Sequence, residues 1–339
     1  MIDTSAFETG VRILLTEESA VTLTPSYEGA NIGTYLGFKH VNYLVEKGVI
    51  EHFRSAGLPV GELYQRFGLG FDVVSLAARL RGGLYIDDEA LVRVRPVAPA
   101  AGRPALAFEV SLTVPRGGTP RRIVTATVHA VLRLDEDARR LPDRLPVPAP
   151  LAFATVREIG PAQPGAAVPG RPAPLVSGGT VDRDPVLDEL LAGRNGYGWR
   201  MRVPYTYTHF SERVQMSGYL RLIEEAKHRF VDARGISVSR LLSERNWIPL
   251  VTESRLEILG EAGMEEDLYT TYEVTGIFKN LQYTSRMECH VVRGGRLLRV
   301  ATGAITHGYA VAENGNRARV IAWDDTVGRA LRGAVDTAR

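Results

Sequence analysis

Two rhythms of apolar residues run along this chain, and the pair of rhythms occurs twice. Val41, Leu44, Val45, Gly48, Val49, His52 and Phe53 recur every 3.6 residues, as do Leu220, Ile223, Ala226, Lys227, Phe230 and Val231. Each set predicts an amphipathic helix that buries one stripe. Gly57 and Gly235 stand where these helices should stop, because glycine enters the left-handed closing position without a Cβ clash. An apolar strand and a loop precede each helix. Downstream, alternating β-branched stretches over 91–97, 106–114 and 123–134, and again over 268–275, 281–292 and 297–309, predict strands. Arg116-Gly117-Gly118 and Arg293-Gly294-Gly295 predict the hairpin turns between the last two strands of each set. A long helix beside an antiparallel sheet must lay its stripe on that sheet, which makes the fold class α+β.

Four landmarks recur in the same order and imply an internal duplication. Tyr43-Leu44 matches Tyr219-Leu220 at a spacing of 176, Asp87-Asp88-Glu89 matches Glu265-Glu266-Asp267 at 178, and the two Arg-Gly-Gly turns and the pair Thr125 and Thr302 match at 177. The expected organisation is a first domain over 11–137, a linker with a lead-in strand over 138–196, a second domain over 197–315 and a tail over 316–339. Nine of the 19 prolines lie between Pro142 and Pro174, so the linker is read as an extended, partly ordered connector. Val327, Leu331 and Val335 predict a short helix in the tail.

At 339 residues the chain suits two domains of about 150 residues each. A net charge of +2 offers no basic surplus for a nucleic-acid backbone, so nucleic acid is not an expected partner. The first ten residues lack the apolar core of a secretion signal and no run reaches the roughly 18 apolar residues of a membrane span, so a cytoplasmic protein with no membrane partner is expected. Cys289, alone and in a strand-like stretch, reads as packing. His52, His228, His290 and His307 show no metal-ligand spacing, and no metal is expected.

The run Val203-Pro-Tyr-Thr-Tyr207-Thr208-His209-Phe-Ser-Glu212-Arg-Val214-Gln-Met-Ser-Gly-Tyr219-Leu220, continuing to Glu224-Glu225-Ala226, resembles the opening of the 4-hydroxybenzoyl-CoA thioesterase family. That family has the hot-dog fold, a helix wrapped by an antiparallel sheet, so the resemblance implies a double hot-dog. At the chemistry the chain departs from it. The family's second acidic position falls on His209 and its loop glycine on Glu212, and in the first half the same positions fall near Gly33 and Leu36. Neither copy keeps the carboxylate that commonly activates water. The first-half loop from Ser26 through Glu28, Asn31, Tyr35, His40 and Asn42 to Tyr43 is similar to tandem hot-dog thioesterases of actinobacterial polyketide starter-unit pathways, including the cremimycin type. Some of these add glycine to an α,β-unsaturated acyl thioester and then release an N-carboxymethyl β-amino acid.

The resemblance implies a hydrolase for small acyl thioesters, with no cofactor beyond the pantetheine of an acyl carrier protein or coenzyme A that carries the substrate, and with glycine as a second partner. A fused pair can act as a monomer or pair again as a homodimer. The expected catalytic residues are His40, a general base at a helix start, Tyr35, a donor to the thioester oxygen, and His209, which would orient water. Glu28, Asn31, Asn42, Tyr207 and Glu225 are expected to line the substrate. Glu46, like Glu225, lies well into its helix, where exposure is the commoner fate. Arg79, Arg81, Arg93 and Arg95 either meet phosphates of the carrier arm or alternate on an exposed strand face. A hot-dog hydratase or dehydratase and a non-catalytic acyl-binding module are the alternatives; the first lacks its usual Gly-Asp-x-Asn-Pro-x-His frame here, and the second needs no loop histidines. Because the loops before the two helices differ, one composite site suffices, and it is sought first at the helix start carrying His40.

Overall fold

A computed structural model describes residues 4–102, 106–137, 140–168, 172–313 and 317–333. The chain divides into two compact units, Met1–Ile159 and Gly160–Arg339. The boundary falls inside the proline-rich stretch. The first unit runs α1 (Thr4–Thr16), β1 (Ser19–Leu23), α2 (Phe38–Ser55), α3 (Val60–Phe67), β2 (Leu69–Leu80), β3 (Ala90–Pro96), β4 (Leu106–Arg116), β5 (Thr119–Leu134) and the two-residue β6 (Thr155–Val156). Its antiparallel sheet has the order β1-β3-β4-β5-β2, with β6 added in parallel to β5. The helix α2 packs on β1, β3, β4 and β2, strands from both ends of that order, so the sheet closes round the helix. Val41, Val45, Val49 and Phe53 form its buried stripe, and Phe53 meets Phe71 and Phe108 edge-on, with ring centroids 5.3 and 6.2 Å away.

The second unit runs β7 (Gln163–Ala167), β8 (Thr180–Val181), α4 (Pro185–Leu191), β9 (Gly196–Arg202), α5 (Met216–Ala233), α6 (Val238–Arg245), β10 (Trp247–Ile258), β11 (Asp267–Phe278), β12 (Gln282–Arg293), β13 (Arg296–Glu313), β14 (Arg317–Ile321) and α7 (Asp325–Leu331). Its antiparallel order is β10-β13-β12-β11-β9-β8, with β7 and β14 on β13, and α5 packs on β9, β10, β11 and β13. The two long helices close with Gly57 at φ +76° and Gly235 at φ +71°. Both units are therefore a long helix wrapped by an antiparallel sheet, and the fold is an α+β double hot-dog. The stretch read as an extended connector carries β6, β7, β8 and α4. The tail helix is α7; Val335 lies outside the described residues.

The structure corrects the register of the repeat. Moved by 178 residues, α2 falls on α5, α3 on α6 and β2 on β10. The buried positions 38, 41, 42, 44, 45, 48, 49, 52 and 53 then fall on 216, 219, 220, 222, 223, 226, 227, 230 and 231, all of them buried. The irregularities at Val73/Ser75 and Val251/Glu253 coincide too. Tyr43-Leu44 is thus not the counterpart of Tyr219-Leu220: two shared letters two residues out of register would turn the buried stripe to the wrong side of the helix.

The acidic turns and the Arg-Gly-Gly hairpins hold because they bind one another. Asp88 is gripped at both oxygens by Arg116, with Nη1 and Nη2 each 2.6 Å away, and its Oδ2 accepts the Tyr85 N–H at 2.7 Å. Glu266 is gripped by Arg293 at 2.7 and 2.8 Å and accepts the Gly263 N–H at 2.9 Å. Such forked, charge-assisted pairs fix a turn to a hairpin. Arg93 and Arg95 instead make exposed pairs with Glu18 and Glu109. Arg116→Ala should lower unfolding free energy by about 1–3 kcal/mol, and Arg95→Ala by less than about 1 kcal/mol, in urea titrations.

Candidate functional site

In the first unit the chain from Ser26 to Gly37 is folded by its own backbone before it enters α2. Tyr27–Gly29 form a 3-10 turn, the Asn31 N–H donates to the Tyr35 carbonyl at 2.8 Å, and Ala30 bridges to Leu36. Gly33, at φ +68°, turns the tip. The Leu36 N–H donates to the Leu84 carbonyl at 2.8 Å and Tyr35 bridges to Tyr85, which ties the loop to the segment that Arg116 holds. Gly37, the N-cap of α2, has no side chain to take the first helical N–H groups.

His40 is the third residue of α2 and is partly buried. Its ring meets Tyr43 edge-on, with centroids 5.1 Å apart, and its back rests on Gly29, where a Cβ would stand 3.2–3.3 Å from its Cβ, Cγ and Nδ1. A side chain at 29 would crowd the imidazole at the helix start and make one of the two give way by a few tenths of an ångström. Tyr35 packs its ring on Tyr85 at 6.1 Å, and burial together with Tyr85 pushes its phenol up to about 12, so it stays a neutral donor through the physiological range. Glu28 and Asn31 are exposed on the loop. Asn42 is fully buried on the stripe that packs on the sheet, and so belongs to the core.

The second unit repeats this loop with different chemistry. Its bridges Thr208–Val214 and Arg213–Gly263 are those of Ala30–Leu36 and Tyr35–Tyr85 moved by 178 residues. In that frame Tyr207 replaces Gly29 and Gly218 replaces His40. Here the glycine is on the helix: a Cβ at Gly218 would stand 2.4 Å from the Tyr207 carbonyl oxygen. The bulky polar group at this contact therefore comes from the helix in one unit and from the loop in the other.

The Tyr207 hydroxyl donates to Glu225 Oε2 at 2.7 Å, and Glu225 Oε1 accepts Arg229 Nε at 2.8 Å. Burial and Glu225 push the Tyr207 phenol up. Arg229 lies over Trp199 at 4.9 Å. Glu225 is thereby committed to Tyr207 and Arg229, and it positions the loop. His209, exposed, stands in the frame position of Asn31; its Nδ1 lies 2.9 Å from Ser217 Oγ in the first turn of α5. Partial desolvation and then the Arg221 guanidinium push His209 down, which favours the neutral ring. The next residue, Phe210, holds φ +64° without being glycine, a local strain on the order of 1–2 kcal/mol.

Glu46 is a group whose environment sequence reasoning missed. It is partly buried on α2, and burial, reinforced by the fully enclosed Asp72 on β2, pushes it up to about 7. The two acids are 26 residues apart, and only the fold brings them into one field. Cys289 is buried, and burial pushes its thiol up to about 12, which suits packing. Among the described residues no three His, Cys, Asp or Glu side chains cluster as metal ligands, and no helix is long and apolar enough to cross a membrane.

No protein-family model matches this chain, and no curated protein matches it. Among solved structures it is similar to a putative oleoyl thioesterase from Lactobacillus plantarum, at 11% identity and TM-score 0.54, over 88% of this chain and 97% of that one. It is also similar to the 12:0-ACP thioesterase from Umbellularia californica, at 11% identity and TM-score 0.53, over 86% of this chain and 94% of that one. These likenesses extend over both units and agree with the double hot-dog.

Proposed function

We propose that this chain is an acyl-thioester hydrolase acting on small acyl groups carried by the pantetheine of an acyl carrier protein or coenzyme A. The observation that carries this reading is the start of α2, where His40 is seated by Gly29 at an end with a side-chain-free N-cap. The N-terminal N–H groups and the positive end of the helix dipole suit the carbonyl oxygen of a thioester, which becomes an oxyanion on attack. His40 takes a proton from the attacking water as the new C–O bond forms. The C–S bond then breaks, and the proton passes to the departing thiolate. Tyr35 supplies a neutral hydroxyl for the acyl oxygen. Within the second unit's own loop, His209 beside Ser217 suits the orienting of a water. We propose in addition the finer activity that the resemblance implies. In that reaction His40 removes a proton from glycine's ammonium, the amine nitrogen bonds to the β-carbon of an enoyl thioester, and a proton returns to the α-carbon before hydrolysis.

Product masses from crotonyl-pantetheine, with and without glycine, test both levels. The reading expects crotonate and free thiol without glycine, and an N-carboxymethyl β-amino acid with it. Free thiol with no glycine adduct would remove the addition step. A hydrated thioester with no free thiol would replace the hydrolase by a hydratase.

A further inference from the structure

The interior of the second unit carries polar side chains where the first unit has aliphatic ones. On the helices Lys227 takes the place of Val49. On the sheets the cross-strand pair Tyr283–His307 takes the place of Leu106–Ala130, Tyr309 that of Leu132, and Tyr272 that of Val94. Each of the five polar residues is at most 6% exposed. They form one cluster. The Tyr272 hydroxyl lies 3.3 Å from His307 Nε2, and the Tyr283 ring stacks on His307 with centroids 4.8 Å apart. Trp323 meets Tyr283 and Tyr309 edge-on at 6.0 and 6.2 Å. The Lys227 charge acts on His307, and Glu224, one turn earlier on α5, is the acid in the field of Lys227. His307 Nδ1 and Trp323 Nε1 are buried without a hydrogen-bond partner among the described residues.

An ammonium and three phenols in a core cost stability unless something uses them. The sister unit shows that the fold closes without them. Burial pulls Lys227 down to about 8 and His307 well below its ordinary value, as expected where water is excluded. The set is rich in donors, with one ammonium, three hydroxyls and an indole N–H, and aromatic rings surround it. We propose that the core of the second unit is a binding chamber for a small organic carboxylate, whose anionic head is met by Lys227 and the tyrosine hydroxyls and whose body lies against the rings of Tyr283, His307 and Trp323. The carboxylate is either a free acid or the far end of an acyl group. Binding of a free acid needs no turnover, so the proposal stands apart from the hydrolase reading.

Calorimetric titration of the full chain with benzoate and hexanoate, and with benzamide and hexanamide as neutral matches, tests it. The acids should bind saturably and at least about tenfold more tightly than the amides, and Lys227→Met and Tyr283→Phe should each weaken the acids by about tenfold or more. Lys227→Met should melt no lower than the wild type, because it replaces a buried ammonium by an apolar side chain of similar length. Acids that bind no better than amides, or wild-type acid affinity in either variant, would overturn the proposal. If Lys227→Met does not fold, Tyr283→Phe, which loses one oxygen, decides alone. Thiol release from adipyl-pantetheine and hexanoyl-pantetheine then separates the sources. A loss confined to the adipyl thioester in Lys227→Met assigns the carboxylate to the acyl group, and equal rates for both assign it to a free acid.

Discussion

Replacing His40 with alanine lowers kcat/KM for thioester cleavage by about 10²–10⁴-fold, the usual contribution of a positioned general acid–base group. The melting temperature changes little, because His40 is partly buried on the face of α2 away from the stripe at Val41, Val45 and Val49. A steady-state thiol-release assay beside a thermal melt separates chemistry from folding. Gly29→Ala is the companion variant. It keeps the imidazole but places a methyl 3.2 Å from it, so the ring must shift. An activity loss in Gly29→Ala with a normal melt would show that seating the ring matters as well as having it. Full thiol release by a folded His40→Ala protein would remove His40 from the mechanism.

Glu46→Gln changes the pH dependence of stability by up to about 3 kcal/mol between pH 4.5 and 7.5. Burial and Asp72 raise the folded-state value to about 7 from an ordinary 4.5. Across that window the folded chain holds a proton that the unfolded chain has already released. The stabilisation is complete below the ordinary value and is lost as the pH rises through 7. Histidines act in the opposite sense: His290, pushed down to about 4 by burial, contributes stability that is lost as the pH falls. The informative quantity is therefore the difference between variant and wild type in urea titrations at each pH. Glu46→Gln should gain on the wild type as the pH rises; parallel curves would mean that Glu46 is not held protonated.

The features legible in the sequence were those with local causes. Helical stripes and their closing glycines follow from burial and backbone sterics within a few residues. The acidic turns and Arg-Gly-Gly hairpins repeat because each arginine grips its own turn. The Tyr-Leu match misled because identity at two positions says nothing of which side of a helix is buried. β2 and β10 follow short helices, and a register shift interrupts each, so they did not stand out as strands. At the site, His40, Tyr35 and His209 were visible as polar residues around helix starts. Asn42 was indistinguishable from them by sequence spacing, since only packing shows that it turns inward. The polar interior of the second unit was hidden for the same reason: Tyr272, Tyr283 and His307 lie on separate strands, where each looks like an ordinary strand residue.

The most direct test of the hydrolase reading is the initial rate of thiol release from crotonyl-pantetheine with the purified protein. Saturable release well above the buffer rate is expected, reduced by about 10²–10⁴-fold in His40→Ala. Release no faster than buffer across crotonyl, butyryl and benzoyl thioesters on both pantetheine and carrier protein would contradict it.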